Sequence, residues 1–467
     1  MKIFDIAEYG AVGDGVTDNA VPIQKAINDC SSSGGGIVTV PEGNVFMTGP
    51  FDLKSFVNLH LERGSRILAN PDESVYTKSA FRQNKGEGSI WIGGENAEEV
   101  MISGEGTIDG NGIAFMGPEE KAAYVLKEFD TFDRRPHILT IVNVTNLIIR
   151  DVTFKNSAYW CLHLIGCTDV SIHDIQIENN LKIRNSDGID LDHTRNVRIN
   201  GCLIESGDDC ICFKTRREYQ EYGPTENITV ADCTMTSTSC AIKFGSENMD
   251  AIRNVEVKDC VIRSSNRGIG IQNRDEGVIE DLRFRDISVE GRLFDNVWWG
   301  KAEPIYITAY KRKAAVGKDA NVRFAEGQTE GKVGEVRNVS FVNVDCRSEN
   351  GVYIGGEAGK ISDIRFDGLR VSVEKMTGYA GGVYDLRPSD SEELLSAGTS
   401  GIFIRDAESI AIRNSSVHWG KNKAPYFTSA LHAIRVNGLT LEGFHGANAF
   451  NDDNPLSIEN CTDVTRK

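Results

Sequence analysis

"NVRINGCLI" (residues 196–204) sets an asparagine ahead of a run in which apolar and polar residues alternate. That alternation is the periodicity of a β-strand with one buried face. One strand fits any β fold, so the decision comes from recurrence. "NLIIRDVTF" begins at Asn146, "DVSIHDIQI" at Asp169, "NITVADCTM" at Asn227, "NVEVKDCVI" at Asn254 and "DLRFRDISV" at Asp281. "NVSFVNVDC" follows at Asn338, "DIRFDGLRV" at Asp363 and "SIAIRNSSV" at Ser409. From 146 to 281 the starts lie 23, 27, 31, 27 and 27 residues apart, and then insertions stretch the spacing. A fixed period of short strands with no helix between them is the signature of a β-solenoid, in which stacking buries a core that no single coil could bury. A β-sandwich would carry turn signals without this register. The expected fold is all-β: one single-stranded, right-handed parallel β-helix domain over residues 1–467.

The same pattern sets expected boundaries. An N-terminal cap covers 1–50, coils cover 51–450, and 451–467 is a C-terminal tail. In "TDNAVPIQKAINDCSSSGGG" (17–36) an Asp/Thr start and the apolar set Val21, Ile23, Ala26 and Ile27 predict an amphipathic capping helix. Insertions near 295–335 and 374–400 read as long loops over one face, the usual walls of a solenoid's cleft.

Composition narrows the function classes. A net charge of −17 argues against nucleic acid or anionic membrane as partner. No apolar run approaches the roughly 18 residues of a membrane span. "MKIFDIAEYGAVGDG" enters fold-like sequence without an apolar signal region, so a cytoplasmic location is expected. The eleven cysteines are odd in number, and most sit inside strand patterns, among them Cys202, Cys212, Cys233 and Cys260. They read as reduced core residues, and no CxxC spacing suggests zinc.

Three aspartates carry the chemistry. "RNSDGIDLD" (184–192) contains Asp187, and "SGDDCICFK" (206–214) contains Asp208 and Asp209, with 21 residues from 187 to 208. The inward pairs Ile189/Leu191, Ile211/Phe213, Ile242/Phe244 and Ile269/Ile271 set the register. Stacked coils lie about 4.8 Å apart, so Asp187 and Asp209 take equivalent positions on neighbouring coils with Asp208 beside them. Carboxylates so close cannot all ionise freely. One protonated and one ionised carboxyl is what glycoside cleavage needs, and a gap of roughly 6.5–9.5 Å would admit a water and predict inversion. The residues alone leave a calcium site or solvated turn aspartates open beside catalysis.

The stretch from about Arg135 to Lys214 resembles glycoside hydrolase family 28, the polygalacturonases and their relatives. "NSAYWCLHLIGCTDVSIHDIQIEN", "NSDGIDLD" and "SGDDCICFK" look like that family's Trp/His coil, its N-T-D-G-I-D motif and its G-D-D-C-I motif. The resemblance implies that Asp208 protonates the leaving glycosidic oxygen and that Asp187 and Asp209 activate the attacking water. It also implies inversion with no metal and no organic cofactor. The substrate would be a pectin-derived oligosaccharide or polysaccharide of galacturonan or rhamnogalacturonan type; exo action is expected separately, because an intracellular enzyme would meet short chains already imported.

The family's G-H-G and R-I-K motifs are missing. Cys240 in "TSTSCAIKFGSE" falls where the histidine would be, and in "NRGIGIQNRDEG" Gly270 and Gln272 stand in the Arg and Lys positions. Those groups normally support the acid and bind the galacturonate carboxylate, so the departure points to altered sugar reading. Expected replacements are Lys243, one coil from the missing arginine, and Lys214, two coils from the missing lysine. They would bind an acidic sugar or only neutralise the aspartates. Arg274 and Glu247 follow these strands and are expected to reach the cleft. Ring faces match the apolar face of a pyranose. Of the adjacent Trp298 and Trp299 one is expected in the cleft, with Trp299 taken as the platform, and Tyr306 stands where the family often has a subsite tyrosine. Trp160 and His163 fit either the cleft or the core. Two rival readings share the solenoid: a polysaccharide lyase, needing a base and carboxylate neutralisation, and a non-catalytic carbohydrate-binding β-helix, against which the three retained aspartates speak.

Overall fold

The structure, a computed structural model, describes residues 2–82, 88–128, 135–313, 331–451 and 454–467. Positions 314–330 of the expected 295–335 insertion lie outside the described residues. The chain falls into two compact units: Met1–Ile211 with Glu218–Ile228, and Cys212–Arg217 with Thr229–Lys467. Each is a right-handed parallel β-helix.

In the first unit three parallel ladders run up the coils. Leu139–Val142 pairs with Leu162–Ile165, which pairs with Ile189–Asp192. Leu147–Arg150, Val170–His173 and Val197–Asn200 form the second ladder. Thr153–Lys155, Gln176–Glu178 and Leu203–Glu205 form the third. The second unit repeats the scheme: Cys240–Ser246 pairs with Arg267–Asn273, then with Glu303–Ala309. Inward positions are fully buried, including Ile189, Leu191, Ile211, Phe213, Ile242, Phe244, Ile269 and Ile271. Phe213 and Phe244 stack with centroids 4.4 Å apart and planes 11° from parallel.

The residue that opens each repeat has a structural task. Asn146, Asp169, Asn196, Asn227, Asn254, Asp281, Asn338, Asp363 and Ser409 all adopt positive φ, between 52° and 59°. Asn and Asp tolerate this left-handed region because their short polar groups bond locally. Here they also bond between coils: the Asn196 amide donates to Asp169 at 2.9 Å and the Asn227 amide to Asn196 at 3.1 Å.

The capping helix spans Ala20–Ser32 and buries Ile23, Ala26, Ile27 and Cys30. Val21 is 74% exposed, against expectation. It lies two residues, about 200° of helix, from Ile23. The helix begins at Asn19, whose side chain bonds Val12, Thr17 and Met47 rather than its own helix. The segment expected as a C-terminal tail carries strands Leu456–Glu459 and Thr462–Arg466, which extend the ladder from Leu431–Glu442. Coil strands also begin before residue 51: Ile3–Asp5 pairs with Gly36–Val40, which pairs with Val57–Leu61. Ten of the eleven cysteines are buried, and Cys461 is partly exposed. Among the described residues no helix is long and apolar enough to cross a membrane.

Candidate active site

Asp187, Asp208 and Asp209 meet in the first unit, each offering a carboxylate oxygen within 4.8 Å of the others. Asp187 and Asp209 are 2% and 3% exposed, whereas Asp208 is half-buried.

Backbone packing sets these carboxylates. The Asp187 carbonyl accepts from Cys161 N–H at 2.8 Å, and the Asp209 carbonyl from Gly188 N–H at 2.8 Å. Ser206 Oγ donates to the carbonyls of Ser186 at 2.5 Å and Asp209 at 3.2 Å. Asn179 accepts from Ser157 N–H and donates to the Ser186 carbonyl. Asp208 Oδ2 accepts from Asn185 N–H at 3.1 Å. The two glycines in the motifs are needed for close approach. A Cβ at Gly188 would lie 2.4 Å from the Cys210 carbonyl oxygen, and one at Gly207 would lie 2.1 Å from that of Ile183.

The ladder register also places His137, Trp160 and Asp187 one above another, each two residues before the paired Leu139, Leu162 and Ile189. Phe81, His137, Tyr159, Trp160 and His163 form a packed aromatic group there; His137 and Tyr159 stack at 5.3 Å and 7°, and Trp160 meets His163 edge-on at 4.7 Å. Arg135 lies over Tyr159 at 4.7 Å and donates to the Arg184 carbonyl at 2.7 Å, just before the Asp187 motif. Sequence reasoning missed Arg135, Phe81 and Tyr159. Trp160 and His163, which fitted either cleft or core, are both buried in this group.

In the second unit the structure corrects several expectations. Arg274, Gln272 and Tyr306 were expected at the cleft, yet all three are fully buried. The 374–400 insertion is the reason: its segment around Asp385–Arg387 covers them. Tyr306 Oη donates to the Asp385 carbonyl at 2.7 Å, Gln272 Nε2 to that of Arg387 at 2.5 Å, and Arg274 Nη2 to that of Leu386 at 3.3 Å. Burial pushes the Arg274 guanidinium below its ordinary value, with Tyr306 opposing. These side chains are packed between their strands and the Asp385–Arg387 segment.

The expected register is observed, with Lys243 beside Gly270 and Gly245 beside Gln272. A Cβ at Gly270 would meet Cys240 Sγ at 2.8 Å and Arg267 Cδ at 3.0 Å. The slot of the absent arginine is therefore filled. Arg267 pairs with Glu303 at 3.2 Å and lies 3.7 Å above the Tyr306 ring. Cys240 is 1% exposed, its thiol directed to the Ile242 carbonyl. Lys214 and Lys243 are each 5% exposed. Lys214 faces Glu247 at 3.8 Å, so these two expected ligands face each other. Trp298 is buried and Trp299 is 37% exposed.

The model of "Glycosyl hydrolases family 28" matches residues 30–379. The chain belongs to this family. A "Probable polygalacturonase" of Vitis vinifera is 31% identical over 316 residues, covering 63% of this chain and 61% of its own. An "Exopolygalacturonase" of Zea mays is 26% identical over 279 residues, covering 58% and 62%. The chain thus spans about three fifths of the length of the curated relatives it matches. Among solved structures, the hyperthermoactive exopolygalacturonase of Thermotoga maritima superposes with a TM-score of 0.63 at 23% identity, covering 80% of this chain and 87% of its own. That likeness supports the family 28 fold.

Proposed function

We propose that this family 28 member is a pectin-degrading glycoside hydrolase that acts from a chain end on galacturonan or rhamnogalacturonan oligosaccharides. The observation that carries this reading is the gathering of Asp187, Asp208 and Asp209, the family's motif aspartates, within 4.8 Å of one another. Asp208, the most accessible of the three, donates its proton to the leaving glycosidic oxygen. Asp187 and Asp209, buried beside it, orient a water and take its proton as the water's oxygen bonds to the anomeric carbon. Bond breaking and bond making on opposite sides of that carbon give inversion, as in the family. Exo action is supported by the exopolygalacturonase relative. Of the adjacent Trp298 and Trp299, the exposed Trp299 is the candidate ring for stacking on a pyranose. Lys214 and Lys243, in the second unit, carry positive charge that suits an acidic sugar.

The test is incubation with a panel of oligogalacturonides and rhamnogalacturonan oligosaccharides, reading products by mass. Release of one monosaccharide per step from defined chains supports the proposal. An unsaturated product with a new ultraviolet chromophore, abolished by chelator, would replace it with a lyase.

A further inference from the structure

Asp208 takes its orientation from a turn, and a buried arginine holds that turn. Asn185 stands two residues before Asp187 and donates its N–H to Asp208 Oδ2 at 3.1 Å. Its φ is 60°, in the left-handed region that an L residue adopts only where its surroundings favour it. The direction of that N–H therefore depends on what fixes residues 184 and 185. Arg135 fixes both. Its Nη1 donates to the Arg184 carbonyl at 2.7 Å and to that of Ala158 at 3.4 Å, and its Nη2 donates to Asn185 Oδ1 at 3.3 Å. All of these residues belong to the first unit.

The guanidinium is itself held in place. Arg135 is 4% exposed and lies over the Tyr159 ring. Glu128 stands 3.7 Å from Arg135 Nη2 and 2.8 Å from Arg184 Nη2, so one carboxylate ties the two arginines together. A planar fork of donors holds a carbonyl and a side-chain oxygen at once, in fixed directions, which the single point charge of an ammonium does not.

The chemistry of a general acid gives this arrangement its meaning. A protonated carboxyl has one O–H donor, and its other oxygen is the better acceptor. An N–H fixed on Oδ2 leaves the proton on Oδ1, so the turn selects the oxygen that gives the proton to the leaving sugar. Transfer requires that oxygen within hydrogen-bond reach of the glycosidic oxygen. We propose that Arg135 is a positioning residue for the acid and acts on Asp208 through the Asn185 turn, an inference that rests on the reading of Asp208 as the proton donor.

Steady-state kinetics of the full chain test this, on a defined oligogalacturonide or rhamnogalacturonan oligosaccharide that the parent cleaves, with circular dichroism and thermal unfolding on every sample. Arg135→Met keeps the volume and removes the donors; it should lower kcat on the order of 100-fold with KM within about threefold of the parent. Arg135→Lys keeps the charge and should regain about tenfold of that loss. Asn185→Gly keeps a residue that accepts the left-handed turn but removes the oxygen Arg135 holds, and should lower kcat about tenfold. Both changes release one turn, so the double variant should fall no more than about threefold below Arg135→Met, whereas independent effects would multiply. The proposal is overturned if folded Arg135→Met keeps kcat within about threefold of the parent, if KM rises while kcat holds, if Arg135→Lys is no better than Arg135→Met, or if the losses multiply. Should Arg135→Met not fold, Asn185→Gly decides: a loss of kcat at constant KM supports the role, and an unchanged kcat overturns it. Asp208→Asn separates the two levels. If it turns over like the parent, or the parent cleaves neither oligosaccharide, the acid reading fails and the role of Arg135 with it; if it is inactive while folded Arg135→Met is unimpaired, the role of Arg135 fails alone.

Discussion

Gly207→Ala should damage turnover out of proportion to its size. A Cβ there would lie 2.1 Å from the Ile183 carbonyl oxygen, 2.6 Å from Ser186 Oγ and 2.9 Å from the Asn180 carbonyl oxygen. Ordinary contact begins near 3.4 Å, so the backbone must move by about 3.4 − 2.1 = 1.3 Å on one side or the other. Two of the three obstacles are backbone atoms and cannot rotate away. Overpacking of this kind costs about 1–3 kcal/mol of stability. The next residue is Asp208, anchored by Asn185 N–H at 3.1 Å, so the displacement passes directly to the proposed acid. A misplacement of about 1 Å at a reacting group costs on the order of 100-fold in rate. The assay is reducing-end release from a short oligogalacturonide at saturating substrate, with thermal unfolding and circular dichroism on the same samples. Gly43→Ala is the control: its φ of 71° brings a left-handed penalty of roughly 1–2 kcal/mol, but no atom lies within 4 Å. It should unfold earlier and turn over normally. If folded Gly207→Ala turned over within threefold of the parent, the tight packing under Asp208 would not be what positions the acid.

Other predictions test the second unit. Tyr306→Phe removes the hydroxyl that donates to the Asp385 carbonyl and should cost about 1–3 kcal/mol of stability with KM unchanged; a raised KM at constant stability would return Tyr306 to the cleft. Trp299→Ala should raise KM with little change in unfolding, whereas Trp298→Ala, a buried ring, should cost about 3–5 kcal/mol, as thermal denaturation will show. Arg312→Ala breaks the buried pair with Asp275 at 2.8 Å and should cost about 3–5 kcal/mol, most of it recovered when Asp275→Asn is added. Burial alone would raise the Glu349 carboxyl, but Lys375 and the backbone N–H groups of Leu293, Thr377 and Met376 hold it below its ordinary value. A depressed carboxyl gives stability that is present above its unfolded value, about 4.3, and lost as pH falls through the folded value. The unfolding temperature should therefore fall on acidification below about pH 4, and Glu349→Gln should flatten that fall.

Much of the coil architecture was legible because it rests on local chemistry. The Asn, Asp or, once, Ser that opens each repeat occupies a left-handed turn, and that requirement stamps the sequence at every repeat. The aspartate site was legible for the same reason, being built from two short motifs one coil apart and the glycines that let them approach. What stayed hidden depends on distant segments. Gln272, Arg274 and Tyr306 lie at outward positions of their strands, and only the 374–400 insertion, more than 70 residues further on, buries them. Alternation reports which way a side chain points and not what later covers it. Val21 was misplaced by counting apolar residues and not their angles. The last strands were missed because a final rung has no coil above it, and Thr462–Arg466 is mostly exposed.

Central to this account is Asp208 as the proton donor to the leaving sugar. The direct measurement is single-turnover cleavage of a defined oligogalacturonide by the parent and by Asp208→Asn, with the anomeric configuration of the first product followed by proton NMR. The account predicts an inverted product from the parent and a rate about 10²–10⁴-fold lower in the variant, with the fold unchanged by circular dichroism. A variant that cleaves within tenfold of the parent, or a first product of retained configuration, would contradict it.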